Sequence, residues 1–160
     1  MSEYRPEEGS FNTGKIRIAV IAARWNATVT DALLDGAVRA LARHGVSGAA
    51  VETFRVPGAF ELPLASQQAA RTGRFDAIIS LGCVIRGDTP HFDYVCAETT
   101  RGIGHVALTE NLPVGFGLLT TDNLQQALDR CGDNAENKGE EAALTILELL
   151  TVLKNMQGAE

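Results

Sequence analysis

The sequence predicts an α/β protein, a three-layer α/β/α sandwich with a four-stranded parallel sheet between helices on both faces. Three observations predict it. Four short apolar runs recur along the chain, and a segment with helical spacing follows each one. That alternation yields parallel strands joined by crossover helices. The first run opens with period-two alternation and then turns wholly apolar, as a strand buried on both faces does. Gly, Pro or a good N-cap residue marks the junctions where strands give way to helices.

The elements follow in order. Residues 15–23 (K-I-R-I-A-V-I-A-A) form the first strand. A helix is predicted over 28–44, with Leu33, Leu34, Ala37, Val38 and Leu41 as its apolar stripe and Gly45 as its stop. Residues 49–56 are the second strand, Pro57-Gly58 breaks the chain, and 59–71 returns to a helical pattern. The third strand is 75–84. The next helix spans 90–109, with Thr89 as N-cap, Pro90 in the first helical position, and an interruption expected near Gly102 and Gly104. Residues 114–120 are the fourth strand, and 123–130 a short helix ending near Gly132. A final helix covers 140–155 and turns Ala143, Ile146, Leu147, Leu150 and Leu153 inward. Residues 1–14 are expected to be a flexible N-terminal arm, and 15–160 one domain.

Composition narrows the function. At 160 residues the chain can bury a sizeable core, and 45% hydrophobic with 21% charged residues is ordinary for a globular protein. A net charge of −6 argues against a nucleic-acid partner. No apolar run approaches the ~20 residues that span a bilayer. The polar first residues lack a signal-peptide core, so the cytoplasm is the expected location. Cys83, Cys96 and Cys131 are odd in number and lack metal-ligand spacing. They read as reduced small hydrophobes, and no metal site is expected.

Ligands in parallel sheets bind beyond the carboxyl ends of the strands, which directs attention to four segments. Trp25 follows the first strand; it packs a core or an interface, or it offers a flat face to a heterocycle. Pro57-Gly58-Ala59-Phe60-Glu61 follows the second. Its Glu61 either serves the helix dipole or accepts hydrogen bonds from ligand hydroxyls. Arg86-Gly87-Asp88-Thr89-Pro90-His91 follows the third. It is either a well-capped helix start or an anion site made of free N–H groups and the helix dipole. The same field disfavours a positive charge on His91, which leaves its ring able to accept a proton. The fourth segment is Thr121-Asp122-Asn123. Farther along, Arg130 stands near a helix C-terminus, where a basic residue is a dipole partner or a phosphate ligand. No GxxxxGK loop, GxGxxG turn or G-x-S-x-G elbow is present.

Five motifs in order resemble lumazine synthase, the penultimate enzyme of riboflavin biosynthesis. They are Ala23-Arg24-Trp25-Asn26, the run from Val56 to Pro63, the run from Gly82 to Cys96, the run from Gly115 to Asn123, and Asn137-Lys138-Gly139. The resemblance implies a flavodoxin-like sheet and a transferase. Its reaction condenses 5-amino-6-ribitylaminouracil with 3,4-dihydroxy-2-butanone 4-phosphate to 6,7-dimethyl-8-ribityllumazine, releasing phosphate and water. It implies no cofactor. It also implies roles: Trp25 stacks on the pyrimidine, Asn26 assists, and Ala59, Phe60 and Glu61 hold the ribityl chain and ring edge. Cys83, Val84 and Ile85 offer backbone contacts. Asp88 and Thr89 bind phosphate with Arg130 as charged clamp, His91 is the general acid/base, Phe116 closes the pocket, and Lys138 is an auxiliary base. Trp25 stands where the family more often has Phe, which preserves the stacking face.

The resemblance further implies a pentamer whose sites lie between neighbours, with Phe116 and Arg130 supplied by the second copy. The short segment 131–137 lacks the insertion of many pentamer-only members, which favours a shell of sixty subunits. Riboflavin synthase is the cargo such a shell could hold, and the N-terminal arm is expected to add to a neighbour's sheet. Two other classes of function compete. A flavin- or lumazine-binding module would need Trp25 and Glu61 but not His91 and Arg130. A purely structural shell would need none of them.

Overall fold

The strand β1 (Ile18–Ala23) is buried at every position, because it lies between two neighbouring strands and two helical layers. The computed structural model describes residues 9–11, 13–134 and 136–158. After β1 come α1 (Ala27–Arg43), β2 (Val51–Val56), α2 (Leu62–Arg71), β3 (Ala77–Ile85), α3 (His91–Thr109), β4 (Val114–Thr121), α4 (Leu124–Leu128) and α5 (Lys138–Met156). Single turns of 3-10 helix, Gly48–Ala50 and Ala59–Glu61, lead into β2 and α2. The four strands are parallel, in the order β2-β1-β3-β4. This is the flavodoxin-like three-layer sandwich that the alternation predicts.

Alternate side chains of β1 feed two cores. Ile18, Val20 and Ala22 join the larger one, with Leu33, Ala37 and Leu41 of α1 and Ala143, Ile146 and Leu147 of α5. Ala19 and Ile21 join the smaller one, with Leu62 of α2 and Ile103 of α3. The sheet therefore carries α1 and α5 on one face and α2 and α3 on the other. Each fully buried Leu or Ile contributes roughly 1.5–3 kcal/mol by leaving water, which makes this central sheet the stable part of the molecule.

Most helix limits shift by one to three residues from expectation, and three departures have a local cause. The helix α3 runs unbroken through Gly102 and Gly104. Gly102 is where α2 comes close: a Cβ there would lie 2.7 Å from Pro63. The helix also begins one residue late, so Pro90, not Thr89, takes the cap position. The last helix begins at Lys138 rather than 140, because the Asn137 side chain accepts the N–H groups of Gly139 and Glu140. The sequence carried this cap as an Asn followed three residues later by Glu140.

Of the arm expected at residues 1–14, residues 1–8 and 12 lie outside the described residues. The expected pairing with a neighbour's sheet therefore lies there too. Phe11 packs edge-on against His44 with ring centroids 4.9 Å apart. Among the described residues no helix is long and apolar enough to cross a membrane.

The layer of α1 and α5 is held closest at Gly139, where a Cβ would lie 1.9 Å from the Leu33 carbonyl oxygen. Gly139→Ala should therefore cost about 1–3 kcal/mol or more through overpacking against backbone. Urea unfolding reads this as a lowered midpoint. A midpoint within error of the parent would show that α1 and α5 can move apart freely.

Candidate active site

The carboxyl ends of β1, β2 and β3 converge where the strand order reverses, between β1 and β3. The chain leaves β1 through Asn26, whose φ of 60° and ψ of 50° are left-handed, a conformation Asn tolerates better than most residues. Its Nδ2 donates to the Cys83 carbonyl at 2.9 Å. Arg24 N–H donates to the Val56 carbonyl at 2.8 Å and Trp25 N–H to the Pro57 carbonyl at 3.0 Å. These bonds lace the turn after β1 to the turn after β2 and to the end of β3. They set Trp25 beside residues 57–61 with its indole 75% exposed.

After β2, the Glu61 carboxylate accepts the Gly58 N–H through Oε2 at 2.8 Å. That fixes one carboxylate oxygen in the turn. The strand β3 pairs with β1 only as far as Leu81, but with β4 as far as Ile85. Over Gly82–Ile85 it has a strand partner on one side alone. The other backbone edge faces the space beyond β1, and Asn26 takes one of its carbonyls.

Beyond β3, α3 begins with His91, which is exposed. The Thr89 Oγ1 lies 3.4 Å from the His91 N–H, longer than a good hydrogen bond, and no side chain caps the helix. An uncapped helix start keeps its N–H groups available to an anion. Arg86 braces this turn. Its Nη1 meets Asp93 at 3.2 Å, its Nε meets Asp122 at 3.0 Å, and its guanidinium lies 4.1 Å over the Phe92 ring.

These segments enclose a cavity of about 340 Å³. Trp25 and Asn26 after β1, Ala59, Phe60 and Glu61 after β2, Cys83, Val84 and Ile85 at the end of β3, and Thr89 and His91 at the start of α3 line it. Gly58 and Gly87 of the two turn motifs also line it, as do Phe92 and Val95, which were not singled out from the sequence. Val95 was findable, since it lies four residues after His91 on the same helix face. Asp88 is exposed and is not among the lining residues.

Phe116, Arg130 and Lys138 lie elsewhere, in a second cleft of about 380 Å³ between β4 and α5. Phe116 is 47% exposed. Arg130 Nη1 donates to the Gln126 carbonyl at 2.8 Å, the dipole-partner contact expected of a base at a helix C-terminus. Lys138 pairs with Glu141, one turn along α5 and also lining this cleft. Glu141 was not singled out from the sequence either, though its i+3 spacing from Lys138 carries the signal. One chain thus holds two separate groups of the expected site residues.

A family model described as 6,7-dimethyl-8-ribityllumazine synthase matches residues 15–154. The chain belongs to the 6,7-dimethyl-8-ribityllumazine synthase family. It is 48% identical over 156 residues to the 6,7-dimethyl-8-ribityllumazine synthase of Nitratidesulfovibrio vulgaris (strain DSM 19637 / Miyazaki F). The match covers 98% of this chain and 100% of that protein. The lumazine synthase family reading drawn from five short motifs therefore holds across almost the whole chain.

One group in this lumazine synthase cavity can be assigned a passive role. Burial pushes the Cys83 thiol up to about 12, with the nearby Cys131 and Cys96 adding to the shift. A thiol this hard to ionise is a poor nucleophile, so Cys83 lines the cavity as a small apolar group. Because its folded value lies above the unfolded value near 9, its contribution to stability is whole below about pH 9. That contribution is lost as the pH rises toward 12. At pH 8, alkylation of Cys83 by iodoacetamide should be slower in the folded protein than in urea by about two to three orders of magnitude. Mass spectrometry of the labelled peptides reads this, and equal rates would show an accessible thiolate.

Proposed function

We propose that this chain performs the reaction of its family, joining 5-amino-6-ribitylaminouracil to 3,4-dihydroxy-2-butanone 4-phosphate to give 6,7-dimethyl-8-ribityllumazine. The observation that carries the reading is the joint placement, around one cavity, of an exposed indole, a carboxylate, an unpaired strand edge and a histidine at an uncapped helix start. An aminopyrimidine is flat and rich in donors and acceptors. Trp25 supplies the stacking face, and the free edge over Gly82–Ile85 supplies backbone partners. Glu61 and the turn at Ala59 and Phe60 suit the hydroxyls of a ribityl chain. The start of α3, with Thr89 and the backbone N–H of Asp88, suits the phosphate, and Asn26 keeps the β3 edge in place.

The chemistry follows. An amine adds to a ketone, and the resulting carbinolamine loses water only if its hydroxyl is protonated. Elimination of phosphate requires removal of a proton from carbon. His91 is placed to move these protons, an effect typically worth ~10²–10⁴-fold. The larger share comes from holding two substrates in contact.

The phosphate carries charge that the first cavity does not balance with a cation. Arg130 is our candidate clamp, with Phe116 as closing ring and Lys138 as auxiliary base. They reach the first cavity from a neighbouring copy. The exposed apolar surface supports association: α3 buries only Thr99, Ile103 and Val106, and leaves Tyr94 71% and Leu108 86% exposed. A pentamer is the assembly we propose, closing into a sixty-subunit shell, resident in the cytoplasm, with riboflavin synthase as a cargo it can hold.

Two measurements test this. Lumazine formation followed by absorbance should be saturable in both substrates. His91→Ala should lower kcat by about 10²-fold yet leave a rate above the uncatalysed reaction. Arg130→Ala should raise KM for the phosphate-bearing ketone by roughly 10–100-fold, as expected for a lost charged hydrogen bond. A parent rate equal to the uncatalysed one would overturn the proposal. Static light scattering at neutral pH should give the mass of sixty chains, and pentamers alone would refute the shell.

A further inference from the structure

We infer that Asn137 is the positioning residue for the phosphate clamp, an inference that rests on the reading of Arg130 given above. Its side chain is almost completely buried, at 3% exposure, yet it is wholly polar. The carboxamide is satisfied from every side. Nδ2 donates toward the carbonyls of Cys131 at 2.8 Å, Gly132 at 3.1 Å and Ala32 at 3.2 Å. Oδ1 accepts the N–H groups of Gly139 at 2.9 Å and Glu140 at 3.1 Å. One planar group thereby ties three parts of the chain: the segment after Arg130, the start of α5, and α1.

Arg130 lies directly before the segment that these bonds hold. Its own carbonyl accepts the Lys138 N–H at 2.9 Å, and the next carbonyl, of Cys131, accepts from Asn137. The peptide that follows the Arg130 Cα is therefore held by the backbone of α5, and the next peptide, Cys131–Gly132, by the Asn137 side chain. The Arg130 side chain is exposed and must deliver its guanidinium to a ligand outside its own cleft. Where it can reach is decided by this backbone anchor, and a misplacement of about 1 Å can cost ~10²-fold in rate.

Aspartate, alanine and serine do not do this at 137. Aspartate would set a carboxylate against three carbonyl oxygens. Alanine and serine fall short of them. Room for the amide comes from Gly36 of α1, where a Cβ would lie 2.3 Å from Asn137 Oδ1. Lys138, the first residue of α5, is positioned by the same cap.

The test compares Asn137→Ala and Asn137→Ser with Arg130→Ala and with the double variants, in the assembled enzyme. KM for each substrate, kcat and inhibition by inorganic phosphate are read. We expect KM for the phosphate-bearing ketone and the inhibition constant for phosphate to rise together, by about 10-fold. KM for the pyrimidine should stay within about twofold. In the Arg130→Ala background the Asn137 change should add less than about twofold, because the group it positions is gone. Ser66→Ala removes a buried hydrogen bond to Ser80 at 2.8 Å in the opposite layer and serves as the control for general destabilisation. It should lower stability without moving either KM. Should Asn137→Ala fail to assemble, Gly36→Ala displaces the amide without removing it and gives the same readouts. An equal rise in both KM values, or a full multiplicative loss in the Arg130→Ala background, would overturn the inference while leaving the clamp in place. No change in phosphate affinity in Arg130→Ala itself would remove the clamp, and the inference with it.

Discussion

The reversal of strand order between β1 and β3 is the constraint on which the rest depends. From β1 the chain passes through α1 on one face of the sheet to β2. It then returns through α2 on the other face to β3. The two crossovers leave a crevice between them at the carboxyl ends of the strands, which no helix can fill. Everything with chemical character in the first cavity is drawn there by that topology. The overrun of β3 past β1 makes the crevice selective. Backbone groups over Gly82–Ile85 that would be spent in a sheet are left for a ligand or for Asn26. A strand edge of this kind is a liability at the rim of a sheet but a recognition surface inside a cleft.

The second cleft obeys a different logic. It is built between the last strand and the last helix, and its basic residues hang from a short loop rather than from a strand end. Arg130 and Lys138 are eight positions apart, joined by the bond from Lys138 N–H to the Arg130 carbonyl. Loops are mobile unless their polar groups are satisfied, and a buried carboxamide with five contacts is an economical way to satisfy them. The two clefts share no lining residue, so on the proposed function they do not serve one ligand within a single chain. They can serve it between chains, which is why the unpartnered surface of α3 and the split of the site belong to the same argument.

The fold was legible because the alternation of elements and the switch of hydrophobic period are strong signals, and each strand fell within a few residues of its expected limits. The boundaries that moved did so for tertiary reasons. Gly102 reads as a breaker in isolation, yet it is the point where Pro63 closes on α3. Asn137 reads as loop, yet it caps α5 from a buried position. The first cavity was legible in part because its residues follow strand ends. The contacts of Arg86 were hidden, since nothing in the spacing announces that its guanidinium stacks on the Phe92 ring while bridging Asp93 and Asp122. The separation of Phe116 and Arg130 from His91 was legible only through the family resemblance, because a single chain's periodicity carries no information about a neighbour.

The electrostatics bring the two halves together. The turn at the start of α3, proposed to bind phosphate, contains Asp88, and Asp93 sits in the first helical turn, so the local side-chain charge opposes an anion. Arg86 is committed to Asp93 and Asp122 and lies over Phe92, and it neutralises carboxylates more than it attracts a ligand. The backbone dipole at an uncapped helix start offsets part of that repulsion. A dianionic group held there still lacks a full counter-charge within the chain. On the proposed function the missing cation is Arg130 of a neighbouring copy, which makes binding of the phosphate conditional on assembly. On that proposal each chain is a complete sandwich that carries only half of each site.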